Sequence, residues 1–155
     1  MIQSKHLLKL LPVVFLAGTL FAVDQPPYDE KADAHQQVAA AIAEASKAQK
    51  NVILVFGANW CGDCRALNEQ MHKDELAGLI ASNYEVVKID VGRFNKNKDI
   101  AAKYHVPLAH GIPALAVLDP RGNVLYAMDQ GQFSNARSMS YASIRDFFAK
   151  WEPKK

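Results

Sequence analysis

Two cysteines, Cys61 and Cys64, are three positions apart and are the only cysteines in the chain. Two cysteines at this spacing at the start of a helix can close a small disulfide ring and reopen it. Free backbone N–H groups and the helix dipole stabilise a thiolate at a helix N-terminus, which assigns Cys61 as the nucleophile. Cys64 lies one turn further into the helix, so we expect it to resolve the mixed disulfide that Cys61 forms.

Other roles for this cysteine pair stay open from the residues alone. A structural disulfide uses the same spacing, and a zinc site needs about four ligands, for which the sequence offers no second cysteine pair. His110 together with Cys61 and Cys64 could bind copper(I), which would make the protein a metal carrier and not an enzyme. We expect His110 to be an ordinary loop residue, and we expect no metal and no cofactor beyond the redox-active disulfide.

The chain around the cysteines predicts a strand, a short loop and then a helix. The continuous apolar, β-branched run at 52–56 is typical of a strand buried on both faces. A loop at 57–60 leads to the cysteines, and a helix is expected to continue to residue 71. Asp74 is the predicted N-cap of a further helical stretch that ends near residue 82, with an interruption at 72–73.

The remaining segments complete an α/β pattern. Helices are predicted at 29–49, at 99–104 and after Ser140, which is a suitable N-cap. Strands are predicted at 84–91, 114–118 and 124–128, and the turn-forming residues 119–123 join the last two strands into a hairpin. The early strands call for parallel pairing and the hairpin is antiparallel, so we expect a mixed central β-sheet with helices on both faces.

Two motifs resemble the thioredoxin-like family: the stretch VILVFGANWCGDC that ends at Cys64, and the later sequence Gly-Ile-Pro-Ala that begins at Gly111. The resemblance extends over residues 34–151 and implies a thioredoxin-like fold and thiol–disulfide oxidoreductase activity on disulfide-bearing proteins. It also implies a cis peptide bond before Pro113, which would pack against the cysteine pair. Ile112 would then offer its backbone to an extended substrate segment, and Trp60 would join the substrate-binding surface.

The chain departs from that family at positions that tune the redox pair. Asp63 stands where classical thioredoxins carry proline, and its carboxylate would oppose formation of a thiolate at Cys61, unless it points into water. The buried acid of thioredoxins corresponds to Val55, which cannot accept a proton from Cys64. Lys88 matches a family lysine close to the pair, and its charge would assist only if the side chain points inward.

The first residues are typical of a secretory signal. Lys5 and Lys9 precede an apolar run that is short for a membrane span of about 20 residues, and cleavage is predicted near Ala22. An uncleaved N-terminal anchor is the alternative. The predicted organisation is a signal peptide at 1–22, a linker at 23–28 and a thioredoxin-like domain at 29–155.

The charge of the chain limits its partners, and the family resemblance suggests the direction of the reaction. Cleavage of the signal would leave 16 basic and 16 acidic residues, which argues against nucleic acid as a partner. We expect a monomer in the bacterial periplasm that reduces disulfides of exported proteins and takes electrons from a membrane donor. The alternatives are a disulfide oxidant or isomerase, against which we note that no histidine adjoins Cys64 and no dimerisation segment is evident.

Overall fold

A computed structural model of the protein describes residues 25–154. The predicted signal peptide and the first two residues of the predicted linker lie outside this range. Four strands form one sheet in the order β2-β1-β3-β4. Their bounds are Asn51–Gly57 (β1), Tyr84–Asp90 (β2), Ala114–Leu118 (β3) and Val124–Ala127 (β4). Strand β1 pairs in parallel with β2 and antiparallel with β3, and β3 pairs antiparallel with β4, so the predicted mixed sheet and hairpin are confirmed.

Five α-helices accompany this sheet in the described range. Their bounds are Ala34–Ala48 (α1), Gly62–Met71 (α2), Asp74–Asn83 (α3), Lys98–Lys103 (α4) and Tyr141–Lys150 (α5). None of the helices between residues 25 and 154 is long and apolar enough to cross a membrane.

The side chains of β1 alternate between two cores, which places helices on both faces of the sheet. Leu54 and its even-numbered neighbours pack with residues of α1 and α4. Ile53 and Val55 pack with residues of α2, α3 and α5. A strand covered on both sides must be apolar at every position, which explains why β1 reads as an unbroken hydrophobic run.

Helix α1 begins five residues later than the sequence predicts. Asp33 is its N-cap, and the Asp33 carboxylate accepts a hydrogen bond from the backbone N–H of Gln36 at 3.1 Å. The residues just before Asp33 form a turn, in which Asp29 accepts from the backbone N–H of Lys31 at 2.9 Å. Aspartate satisfies free amides in turns as well as at helix starts, so composition alone could not separate the two.

The predicted interruption between α2 and α3 is confirmed, but the predicted cap is wrong by one position. Lys73 is the N-cap residue of α3 and makes no side-chain capping bond. Asp74 is the first helical residue and has a φ of 46°. Here Asp74 contributes a negative charge to the first turn, where it interacts favourably with the helix dipole.

Tyr28 belongs to the folded domain and not to a free linker. Its side chain is 1% exposed and packs in the core that lies between the sheet and α1. Its backbone N–H donates to Asn59 Oδ1 at 3.0 Å, and its carbonyl accepts from Asn59 Nδ2 at 2.8 Å. Tyr28, the last residue of the predicted linker, is therefore part of the packed core.

Candidate active site

The cysteine pair lies where β1 ends and α2 begins, as the sequence predicts. Cys61 is the N-cap of α2, and the backbone N–H of Cys64 donates to Cys61 Sγ at 3.1 Å. The two residues form a disulfide with a Cα–Cα distance of 5.2 Å. When the disulfide opens, the same N–H group is aimed at the Cys61 thiolate, which favours ionisation of this sulfur.

The two cysteines differ in access, which supports their different roles. Cys61 is 5% exposed and Cys64 is 1% exposed. This order of exposure agrees with the predicted roles, in which a substrate disulfide meets Cys61 first and Cys64 attacks a sulfur already bound to Cys61.

The loop before β3 supplies the wall opposite the cysteines. The Ile112–Pro113 peptide bond is cis, as the family resemblance implies, and both residues are buried. The carbonyl oxygen of Ile112 lies 3.6 Å from Cys61 Sγ. This brings the backbone predicted to bind substrate into contact with the predicted nucleophile.

Trp60 lies at the exposed edge of the site with two residues that the sequence did not single out. Its side chain is 48% exposed, and its Nε1 donates to the Gly92 carbonyl at 2.9 Å. Phe94 is 40% exposed and packs edge-on against Trp60, with ring centroids 6.1 Å apart, and Arg93 lies over the Trp60 ring at 5.8 Å. This exposed aromatic pair offers a substrate apolar area beside Cys61.

A shallow groove continues from this aromatic pair towards the cis-proline loop. It has a volume of about 350 Å³ and lies between Phe94 and Gly111, with Lys98, Leu108 and Ala109 as its other walls. Phe94 has a φ of 62°, which is unusual for a bulky residue. The groove and the aromatic pair together form a continuous surface that an extended peptide could cover.

Asp63 does not point into water. Its carboxylate accepts the backbone N–H of Arg137 at 3.0 Å and forms an ion pair with the Arg137 guanidinium at 3.1 Å. The backbone hydrogen bond from Arg137, followed by the side-chain contacts, holds the pKa of Asp63 below its usual value. The guanidinium also lies over Gly62, so a positive charge offsets the carboxylate beside the redox pair.

Lys88 packs on α2 and not on the cysteines. It pairs with Val55 across the parallel strands, and its ammonium donates a hydrogen bond to Asn68 Oδ1. Burial lowers the pKa of Lys88. Val55 is 2% exposed in the core between the sheet and α2, so neither residue provides a proton acceptor at Cys64.

His110 lies in an exposed turn, the short 3-10 helix Leu108–His110. Within residues 25–154, the structure brings together no group of three or more histidine, cysteine or acidic side chains that could hold a metal ion. The copper(I) alternative therefore gains no support from the geometry.

Besides Arg93, sequence reasoning missed three residues that the structure places at the site: Arg137, Phe94 and Tyr28. Arg137 is 74 positions from Asp63 and reaches it from a 3-10 turn in the loop before α5. Phe94 lies among mostly polar residues at 92–98, and no motif in that segment indicated a functional role for it. Tyr28 stood in a segment whose two prolines suggested a linker, although a large aromatic residue beside them was a signal for burial.

Comparisons with known proteins agree with this geometry. A family model described as thioredoxin-like matches residues 33–120, and the chain belongs to that family. The fold and the Cys61–Cys64 pair are those of the thioredoxin-like disulfide oxidoreductases, a family that acts on disulfide-bearing substrates.

Among solved structures, the chain is similar to the disulphide isomerase from Xylella fastidiosa Temecula1. The TM-score is 0.79 at 47% identity, over 83% of this chain and 98% of that one. The germline-specific thioredoxin Deadhead from Drosophila melanogaster has a TM-score of 0.50 at 23% identity, over 76% and 90% of the two chains, which supports the fold alone.

A curated relative, probable nucleoredoxin 3 from Oryza sativa subsp. japonica, is 31% identical over 94 residues. The match covers 48% of this chain and 20% of the relative. The chain therefore spans about a fifth of that much longer protein.

Proposed function

We propose that the protein reduces disulfides of exported proteins through the Cys61–Cys64 pair. The observation that carries this direction is the charge between the cysteines. Gly62 contributes no charge, and the carboxylate of Asp63 is paired with Arg137, so no unpaired cation adds to the stabilisation from the helix start. A thiolate without extra stabilisation gives a less stable reduced form and a more reducing couple.

The reaction divides between the two sulfurs. The Cys61 thiolate attacks one sulfur of the substrate disulfide and displaces the other as a thiolate, which leaves a mixed disulfide on Cys61. Cys64 then loses its proton to solvent and attacks Cys61 Sγ, which releases the second substrate sulfur as a thiolate. The substrate gains two electrons, and the protein is left with the Cys61–Cys64 disulfide.

During the first step, the carbonyl of Ile112 and the exposed Trp60–Phe94 pair would hold the substrate chain beside Cys61. An extended peptide can form β-type hydrogen bonds with the backbone before Pro113 and place an apolar side chain on the aromatic pair. The backbone supplies affinity without sequence selectivity, and the aromatic surface favours substrates with an apolar residue near the disulfide.

The reduction potential of the Cys61–Cys64 pair tests the proposed direction. Equilibration against glutathione and dithiothreitol buffers should give a value near or below that of thioredoxin, about −270 mV. A value near −120 mV, roughly that of the strong oxidant DsbA, would contradict the proposal and make the protein a disulfide donor. Cys61→Ser must abolish substrate reduction, and Cys64→Ser should accumulate the mixed disulfide.

Disulfide isomerisation is the second candidate, and the name of the solved relative from Xylella fastidiosa favours it. An isomerase must re-form bonds as well as break them. A scrambled multi-disulfide substrate distinguishes the two, because an isomerase restores native pairing in Cys64→Ser as well as in wild type. A reductase acting alone would leave that substrate as free thiols.

Export, a membrane electron donor and a monomeric state complete the proposal. The basic and apolar start of the chain supports cleavage near Ala22, and an oxidising compartment would require a reductant for the pair. N-terminal sequencing of the protein from the periplasmic fraction should begin close to residue 23. A protein that retains Met1 in the membrane fraction would favour the anchor.

A further inference from the structure

Tyr28 and Cys64 share one small volume beside the end of β1. Gly57 has no side chain there, and a Cβ at this position would overlap the Tyr28 hydroxyl and ring and lie 2.9 Å from Cys64 Sγ. The phenol oxygen and the sulfur therefore both border the space that a side chain at Gly57 would occupy. Both are removed from solvent, since Tyr28 and Cys64 are each 1% exposed.

The segment that carries Tyr28 is tied directly to the loop before Cys61. Asn59 bonds both the N–H and the carbonyl of Tyr28, and its amide also donates to Glu30 at 3.0 Å. Asn59 lies two residues before the nucleophile, so the position of the tyrosine is linked to the cysteine loop. The place of Tyr28 near Cys64 is thus held by these hydrogen bonds and does not belong to a loose chain end.

The tyrosine hydroxyl stays protonated at any working pH. Burial raises the pKa of Tyr28, and the nearby carboxylate of Asp90 raises it further. A protonated phenol next to a sulfur can donate a hydrogen bond. Such a bond favours the thiolate over the thiol, because a thiolate is the stronger acceptor.

We propose that Tyr28 assists the resolving step, because its hydroxyl donates a hydrogen bond to the Cys64 thiolate. Thioredoxins have a buried acid at the position of Val55. In this protein the neutral hydroxyl of Tyr28 would assist Cys64 in its place. The inference rests on the thiol–disulfide exchange of the proposed function but not on its direction. Cys64 is a thiolate both when it attacks to close the disulfide and when it leaves as the disulfide opens.

Several charged groups lie on the elements around Tyr28 and Cys64, and they remain the same when the hydroxyl is removed. Asp90, which follows Ile89 in β2 and faces Gly57 across the strands, is 5% exposed and is paired with Lys96 at 3.0 Å. Other charged side chains on the elements around Tyr28 and Cys64 include Glu30, Asp63 with its partner Arg137, and Lys88 and Arg65, which donate to Asn68 and to the Asn59 carbonyl. The same elements also carry Asp29, Lys31, Glu69 and Glu85.

Tyr28→Phe removes the donor and keeps the ring. The pKa of Cys64 should rise by about one unit, because a hydrogen bond to the charged form is lost. A higher pKa gives roughly tenfold less thiolate at neutral pH but a more nucleophilic thiolate, by about threefold for a Brønsted coefficient near 0.5. The variant should therefore resolve about threefold more slowly at neutral pH and about threefold faster above the pKa of Cys64.

The experiment follows the resolving step alone. Reduced full-length protein reacts at acid pH with a symmetrical chromophoric aryl disulfide, which leaves one aryl thiol in a mixed disulfide with Cys61 and releases the other as free thiol. After the free thiol has been removed, the pH is raised to a series of higher values. The released thiol is measured by stopped flow. Tyr84→Phe is the matched control, because it removes another buried phenol whose hydroxyl bonds the Phe148 carbonyl in the opposite core.

A pH profile of Tyr28→Phe that crosses the wild-type profile, with Tyr84→Phe parallel to wild type, would support the inference. A profile superimposed on wild type, or a uniform slowing shared by both variants, would overturn it. If Tyr28→Phe fails to fold, Asn59→Ala is the second variant, because it loosens Tyr28 without removing the phenol. Its pH profile should differ from wild type in the same direction. A wild-type protein that releases no thiol at any pH would overturn the proposed function and this inference with it.

Discussion

Loss of Arg137 should make the Cys61–Cys64 pair more reducing. The guanidinium lies over Gly62 and pairs with Asp63 at 3.1 Å, so it offsets the one carboxylate that stands between the cysteines. In Arg137→Ala the field of Asp63 acts on the Cys61 thiolate without compensation. The thiolate then becomes less stable, and the reduced form loses stability relative to the disulfide.

The size of the shift in reduction potential follows from the exposure of the Arg137–Asp63 ion pair to solvent. The Arg137 side chain is 68% exposed, so a water-like dielectric applies on its outer side, in which unit charges 4 Å apart interact with about 1 kcal/mol. At roughly twice that distance, the charge of the guanidinium stabilises the Cys61 thiolate by about 0.5 kcal/mol. This free energy corresponds to about 0.4 pKa units at Cys61. The corresponding change in reduction potential is about 10 mV towards more negative values.

Two assays measure this change. Thiolate absorbance against pH gives the pKa of Cys61, and equilibration with glutathione buffers gives the potential. Arg145→Ala is the control, because Arg145 of α5 forms comparable exposed ion pairs with Glu75 of α3 and with its neighbour Asp146. Added salt should reduce the difference between Arg137→Ala and wild type, since the groups are close to solvent.

The sign is the decisive part of this prediction. Asp63→Asn should act in the opposite direction, with a lower pKa of Cys61 and a less negative potential, because the guanidinium is then left unbalanced. The double variant should lie near wild type, as expected for two charges that act through one pair. Equal shifts in the same direction for both single variants would refute the electrostatic reasoning.

Three further outcomes test other parts of the structure. Leu54→Ala should lower the free energy of unfolding by about 2–5 kcal/mol in urea titrations, because Leu54 is fully buried in β1; a loss below about 1 kcal/mol would show that this core can collapse around the gap. The lowered pKa of Asp63 means that its contribution to stability is present above the unfolded value of about 3.9 and is lost as the pH falls through the folded value, so wild type and Asp63→Asn should converge in stability at acid pH. Phe94→Ala should raise KM for a disulfide-bearing protein and leave reaction with dithiothreitol unchanged, since the small thiol does not need the aromatic surface; an equal loss with both reagents would contradict this role.

Much of the fold could be predicted from interactions between residues that are close in sequence. The bounds of β3 agree with the predicted strand at 114–118, and the strand–loop–helix around the cysteines follows the apolar run and the helix-start position of Cys61. Ser140 caps α5 as predicted, by accepting from the backbone N–H of Ser143. These features depend on residues close in sequence, where propensity and hydrogen-bonding capacity act directly.

Neighbouring helix starts were harder to place for a related reason. Asp29, Asp33 and Asp74 can each cap a helix, close a turn or charge a first turn. Only the path of the chain onto the sheet decides that Asp33 caps α1 and that Asp74 follows an N-cap.

The sequence by itself determined the family, the cysteine pair and the strand–helix junction at which Cys61 lies, because these reside in short motifs and in the hydrogen bonds of adjacent residues. The tertiary structure alone decided what surrounds the pair. Arg137 reaches Asp63 across 74 positions, and Tyr28 fills the space that Gly57 leaves beside Cys64. Such contacts form between segments far apart in the chain, and no local propensity encodes which distant side chain will occupy a given space.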